Sequence, residues 1–317
     1  MKTEISPDQQ QSRSTAKGLA NLFVVYIVWS STYLAIRLAV REGAGFPPFL
    51  MGASRLLTAS LILVSIAFLF RLSLKISKSD LFVLGLSGIM LWVGGNGMVN
   101  WSEQHTPSGY AALIVGSTPL FVCLMEAIID RKRPARLLIM SILVGFAGLA
   151  VLVWPSFRGG FHTDWLSAIA LCFGAISWGA GSLYTNRRPL HISSFATSFY
   201  QQLFGGLGYL IVGLLAREPM PHPSHQAWLA WGYLIIFGSL LAYTSFVVAL
   251  RNLPVSIVMT YGYVNPVLAV ILGWMILDES LTWWTACGTA LILVGIAGVF
   301  RQKYIKKEKT EKIQIAE

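Results

Sequence analysis

The 317-residue chain is 55% hydrophobic and only 12% charged, with a mean hydropathy of +0.63. A soluble domain carries about 25% charged residues, so this chain cannot cover a globular surface with polar groups, and lipid is the solvent that fits. The net charge of +10 would point to nucleic acid in a soluble protein, but the basic residues sit in short connectors and a C-terminal tail. The charge therefore reports membrane topology, and no nucleic-acid role is expected.

Residues 1–18 are polar, with Pro7 and a glutamine run, and read as a disordered cytoplasmic leader. The first apolar run, residues 19–36, is too long for a signal-peptide core and lacks an A-x-A-like cleavage site. It is expected to stay as an uncleaved anchor. A membrane-spanning helix needs about 20 apolar residues, and the runs that qualify next are 49–70, 81–101, 107–130 and 135–153. A connector over 154–164 leads to five more at 165–185, 195–215, 227–250, 254–277 and 282–300, and a basic tail over 301–317 leaves the bilayer. The fold class is thus all-α, with ten transmembrane helices in two halves, 19–153 and 165–300.

Lysine and arginine set the orientation. With the N-terminus inside, 19 basic residues fall on the cytoplasmic side and four (Arg37, Arg41, Arg158 and Arg217) outside, leaving Arg55 within a span. That asymmetry follows the positive-inside rule and expects both termini in the cytoplasm. Cys123, Cys172 and Cys287 lie in apolar runs without metal or disulfide spacing and are expected to be core residues with no disulfide.

The halves repeat. Ile142-Leu-Val-Gly-Phe-Ala-Gly148 matches Ile292-Leu-Val-Gly-Ile-Ala-Gly298 in six of seven positions, 150 residues apart. Thr106-Pro107 aligns with Leu253-Pro254, Pro119 with Pro266, and Trp29 with Trp178, at similar offsets and in the same order. Five helices per half force the second copy upside down, the architecture in which a substrate site forms between repeats near the midplane.

Ile27-Val-Trp-Ser-Ser-Thr-Tyr33, Gly94-Gly-Asn-Gly-Met-Val-Asn100, Pro107-Ser-Gly109, Tyr261-Gly-Tyr-Val-Asn-Pro266 and Asp278-Glu-Ser-Leu-Thr282 resemble the EamA-domain branch of the drug/metabolite transporter superfamily. The resemblance is nearest its bacterial drug/metabolite and amino-acid exporters and covers residues 20–300. It implies two EamA repeats, a central cavity and export across the inner membrane. The first half departs from the acidic segment, reading Ile129-Asp-Arg-Lys-Arg133.

No catalytic or nucleotide-binding motif is present, and all five histidines (105, 162, 191, 222 and 225) lie in connectors. The chain therefore reads as a non-enzyme without metal, cofactor or ATP-binding subunit, whose partners are a small-molecule substrate and the bilayer. Gly205-Gly-Leu-Gly208 reads as close helix packing. Arg55 is either a snorkelling or ion-paired structural residue, with Glu103 at matching depth as its natural partner, or a cation facing the translocation cavity. Asn96 and Asn100, among Gly94, Gly95 and Gly97, are either helix–helix amides or the wall of a broken helix. Pro266 would free the carbonyl of Gly262, and Pro119 that of Val115. Trp29, Tyr33, Trp178, Tyr243, Tyr261, Tyr263 and Asn265 complete the candidate substrate-binding set. Glu103, Glu126, Pro119 and Pro266 are candidate gating or coupling residues, although Glu126 could equally pair with Arg131 or Arg133. The expected function is secondary or facilitated export of amino acids or related amphipathic compounds, drugs included, by alternating access. Transport of sugar-like or nucleotide-type metabolites is the alternative.

Overall fold

The computed structural model describes residues 7–106, 108–158, 165–265, 267–268 and 283–316, and every regular element among them is a helix. In chain order these are α1 (Pro7–Val40), α2 (Pro48–Leu69), α3 (Lys78–Ser102), α4 (Ser108–Val115), α5 (Thr118–Asp130) and α6 (Arg136–Arg158). The second half holds α7 (Trp165–Asn186), α8 (Ser194–Leu215), α9 (His225–Asn252), α10 (Val255–Val258), a helical stretch over 261–265 and α11 (Trp283–Ala316). Five of these are long and apolar enough to cross a bilayer: α2, α3, α7, α9 and the Ser12–Val40 part of α1. Pro266, Pro107 and residues 269–282, with the Asp278–Thr282 motif, lie outside the described residues.

Local chemistry sets the boundaries. Ser77, Ser193 and Ser224 cap α3, α8 and α9 by accepting from the amides of Asp80 (3.0 Å), Ala196 (3.1 Å) and Ala227 (3.2 Å). Helices α2, α5 and α8 end alike, on an arginine in the left-handed region: Arg71, Arg131 and Arg217, φ +51°, +50° and +52°. The next amide in each case reaches back to a carbonyl of the last turn (Leu72 to Ala67, Lys132 to Ala127, Glu218 to Gly213), the Schellman pattern.

Several expectations change. Helix α1 begins at Pro7, inside the stretch expected as a leader, and α11 runs on to Ala316 through the expected tail. The span expected over 107–130 is interrupted at residues 116–117. Pro119 does deny Val115 a backbone donor, but the Thr118 hydroxyl takes that carbonyl at 2.6 Å, so no free carbonyl is left there. Of the cysteines, Cys123 is buried, Cys287 half-buried and Cys172 exposed, so only one is a core residue.

Equivalent helices of the two halves pack on one another. Helices α2 and α8 run antiparallel: a Cβ at Gly52 would press on Tyr209, one at Gly206 on Leu57 (3.0 Å), and one at Gly213 on Leu50. Helices α6 and α11 do the same, with a Cβ at Gly295 falling 2.7 Å from Gly145 and one at Gly298 on Ser141. A Cβ at Gly205 would sit 2.6 Å from Trp92, so the Gly205–Gly208 cluster serves packing. Large apolar side chains such as Phe23, Phe68, Ile169, Phe173, Leu214 and Leu293 point outward, the reverse of a water-soluble surface and the expected dress of a lipid-facing one.

The connectors on one face are stapled. His222 N donates to Gly45 O (2.9 Å) and Ser224 N to Ala44 O (3.0 Å). The Glu218 carboxylate accepts from the amides of Phe49 (3.0 Å) and Leu50 (2.7 Å), capping α2 from the other half of the chain.

Candidate functional site

A small cavity lies between α1, α3, α7 and the 261–265 helix, with Arg55 reaching in from α2 and Val115 from α4. Trp29, Tyr33, Arg55, Asn96, Trp178, Tyr261 and Asn265, seven of the ten residues singled out as substrate-binding, line it together. Two features of α3 and α9 shape the space. Each contains a π-helical stretch, Ile89–Asn96 and Leu234–Ala242, where an extra residue per turn re-aims side chains. Helix α3 is thus continuous and widened, against the broken-helix alternative for Asn96 and Asn100. Its glycines also bring α7 close: a Cβ at Gly95 would fall 2.9 Å from Trp178.

The floor is aromatic. Trp29 meets Trp178 and Tyr261 edge-on, at 5.5 Å and 5.0 Å between ring centroids, and lies tilted against Phe246 at 5.2 Å. Trp92 lies 5.9 Å from Trp178 and 4.6 Å from Tyr243. Trp29 Nε1 donates to Gly238 O in the π stretch of α9 (3.3 Å). With its amide turned to donate, Asn265 bonds the carbonyls of Tyr261 (3.1 Å) and Tyr26 (3.2 Å).

Arg55 is the charge in this box. It is 3% exposed, and its Nε donates to Ser239 Oγ at 2.8 Å. Its guanidinium carbon lies 5.3 Å from the Trp92 ring centroid, within cation–π range. Its Nη1 is buried and has no partner. The Arg55–Glu103 pair, one of the two readings of Arg55, is absent: among the described residues the one ion pair is Arg187–Asp130. Matching depth along two helices did not make them face each other.

The remaining candidates sit elsewhere. Asn100 donates to Pro48 O and Tyr209 Oη, both at 3.4 Å, a helix–helix amide behind the cavity wall. Tyr243 donates to Gln201 Oε1 at 2.9 Å beneath the floor. Tyr263 is fully buried and packs on Gly145 of α6. Glu126 lies in a separate cleft with Lys132 and Arg133, in ion-pair range of neither Arg131 nor Arg133. Sequence reasoning missed Trp92, Thr32 and Ile36 in the lining and Ser239 as the partner of Arg55.

Comparison with known proteins bears on this arrangement. The model of the EamA-like transporter family matches twice, over residues 16–154 and 165–301. The chain belongs to the EamA-like transporter family. The "Uncharacterized inner membrane transporter YedA" of Escherichia coli strain K12 is 34% identical over 278 residues, 86% of this chain and 88% of that protein. The "Uncharacterized transporter YoaV" of Bacillus subtilis strain 168 is 23% identical, covering 88% of this chain and 95% of that protein. "Protein PecM" of Dickeya dadantii strain 3937 is 27% identical over 90% of this chain and 94% of that protein. A crystal structure of a protein 22% identical shares the fold, with a TM-score of 0.73 over 90% of this chain and 96% of that one. This EamA-family chain is a membrane-spanning protein of the transporter type.

Proposed function

We propose that the protein is a secondary exporter of small amphipathic carboxylates, amino acids and their relatives, which it carries by alternating access between two inverted five-helix halves. Ten spans and cytoplasmic termini complete the reading. The observation that carries it is Arg55: a buried guanidinium with one N–H on Ser239 and Nη1 unpartnered, lining an aromatic cavity. An unpaired buried donor is costly, and a carboxylate bound there would satisfy it while the rings accept an apolar side chain. The inverted repeat is supported by contacts between repeat-equivalent residues. Trp29 meets Trp178, Leu57 meets Gly206 and Gly145 meets Gly295, each pair 149 or 150 positions apart. A residue touches its own counterpart only near a two-fold axis, so these pairs fit a reading in which such an axis relates the halves beside the cavity.

The test uses the purified chain in liposomes without ATP. Radiolabelled phenylalanine should exchange, and phenethylamine, the same molecule without its carboxylate, should exchange poorly. Arg55→Ala should cut phenylalanine flux at least about tenfold, and Arg55→Lys should restore part of it, since an ammonium lacks the planar fork. Equal loss for both probes in Arg55→Ala would reject carboxylate recognition. A strict need for ATP would reject a secondary carrier.

A further inference from the structure

At one end of the cavity Arg37, in the last turn of α1, donates through Nη1 to the carbonyl oxygens of Thr106 and of Glu103 (3.4 Å). This latch ties α1 to the segment that follows α3. The second half has its counterpart, where Asn186, at the end of α7, donates to Leu250 O at 2.5 Å. Positions 37 and 186 are 149 apart, and 103 and 250 are 147 apart, the offsets of the repeat. The latch thus occurs in both halves and needs only a backbone oxygen as acceptor. In the second half the residue carrying that oxygen is a leucine.

The Glu103 side chain therefore has no part in the latch. It is fully buried, and neither carboxyl oxygen has a hydrogen-bond partner. The charged and titratable side chains acting on it are Arg37 and Tyr33, both on α1; His105, on its own segment, is exposed. Tyr33 also lines the cavity, so a side chain that feels the carboxyl electrostatically faces the site. A carboxylate without donors is a poor guest in such a place, whereas a neutral carboxylic acid is tolerated.

We infer that Glu103 is a proton-binding site that couples substrate movement to protons, a step that rests on the transporter reading above. In the arrangement seen here Arg37 holds the two carbonyls and the carboxyl carries its proton. When Arg37 turns from the carbonyls to the carboxyl, an ion pair replaces the O–H bond and the proton leaves to water. Return of Arg37 to the carbonyls goes with uptake of a proton from water. The latch and the protonation state are then one two-state element, in which each state is held by a different partner of Arg37.

Infrared difference spectra of the full-length protein in nanodiscs test this without any substrate. Between about pH 5 and about pH 9, wild type should show a protonated-carboxyl band that fades with rising pH and is absent from E103Q. In R37Q, which keeps Glu103, the midpoint should move about one to three units to the alkaline side, because the cation favouring the ionised form is gone. The same titrating band in E103Q, or an unmoved midpoint in R37Q, would overturn the site. A wild-type liposome flux of phenylalanine that ignores an imposed proton gradient would overturn the coupling. Loss of the band beside intact phenylalanine exchange refutes the proton site alone, whereas a titrating Glu103 beside absent exchange refutes the carrier reading.

Discussion

The two faces of the molecule hold their connectors differently. On one face the segment between α1 and α2 and the segment between α8 and α9 are joined by two backbone hydrogen bonds and by the Glu218 cap on α2. The repeat-equivalent segments on the other face are 187–193 and 70–77. Among the described residues they share no backbone bond; Arg251 reaches Ile192 O and the Tyr200 hydroxyl reaches Leu74 O at 2.7 Å. A backbone staple constrains two segments far more than single side chains do. The stapled face is therefore expected to move as one piece, and the other to part more freely. In the proposed topology the stapled face is the outer one, so most of the opening motion falls to the cytoplasmic side.

The sharpest way to break this comparison is at Gly45. Its φ is +91°, and a Cβ there would fall 2.0 Å from the carbonyl oxygen of His222, a backbone atom that cannot step aside. Gly45→Ala should cost at least about 2–3 kcal/mol, strain and clash together. Gly43, also at positive φ (+77°) but with nothing within 4 Å, is the control: Gly43→Ala carries conformational strain alone, about 1 kcal/mol. Thermal unfolding in detergent compares them. Equal melting temperatures would mean that the staple constrains nothing. Single cysteines at Glu42 and His191, 149 apart in the repeat, should label with impermeant maleimide from opposite sides once Cys123, Cys172 and Cys287 are replaced. Labelling from one side would remove the inverted repeat, and the comparison with it.

Much of the site was legible because its residue types are expensive in lipid. An arginine, two asparagines and a tryptophan at the same place in each repeat are conspicuous in an apolar chain, and Arg55, Asn96, Trp29 and Trp178 line one cavity. What could not be read is azimuth. A helix apolar on all sides gives little amphipathic contrast, so Tyr243 and Tyr263 were indistinguishable from Tyr261, yet only Tyr261 faces the cavity. For the same reason depth alone suggested Arg55–Glu103, whereas Arg55 reaches Ser239 on α9. The π stretches leave no compositional mark, and they re-aim the Trp92 region of α3, which is why Trp92 went unnoticed.

A smaller effect is expected at Glu218. Its carboxylate satisfies two of the free amides at the start of α2, so Glu218→Ala should cost about 1–2 kcal/mol. Glu218→Gln should cost less, because one amide oxygen can still accept. If Glu218→Ala leaves the melting temperature unchanged, the cap adds nothing to the stapled face.

The smallest effect should come from the face without a staple. There Arg187, just beyond α7, grips Asp130 at the end of α5 with both nitrogens: Nη1 on Oδ1, and Nη2 on Oδ2 at 2.9 Å. The geometry is bidentate, which favours the pair, and the carboxylate keeps Arg187 protonated above its usual range. Against this, the side chains are 33% and 44% exposed, so water and salt screen the attraction and two flexible side chains lose entropy in meeting. Asp130→Ala should therefore cost no more than about 0.2–1 kcal/mol, and the difference from wild type should vanish at about 1 M salt, where the screening length falls to about 3 Å. Because the pair bridges two helices on the side proposed to open, a weak, salt-sensitive tie is what an opening face tolerates. A loss of about 2 kcal/mol or more that survives high salt would show that this face is bound as firmly as the other, and the contrast between them would fail.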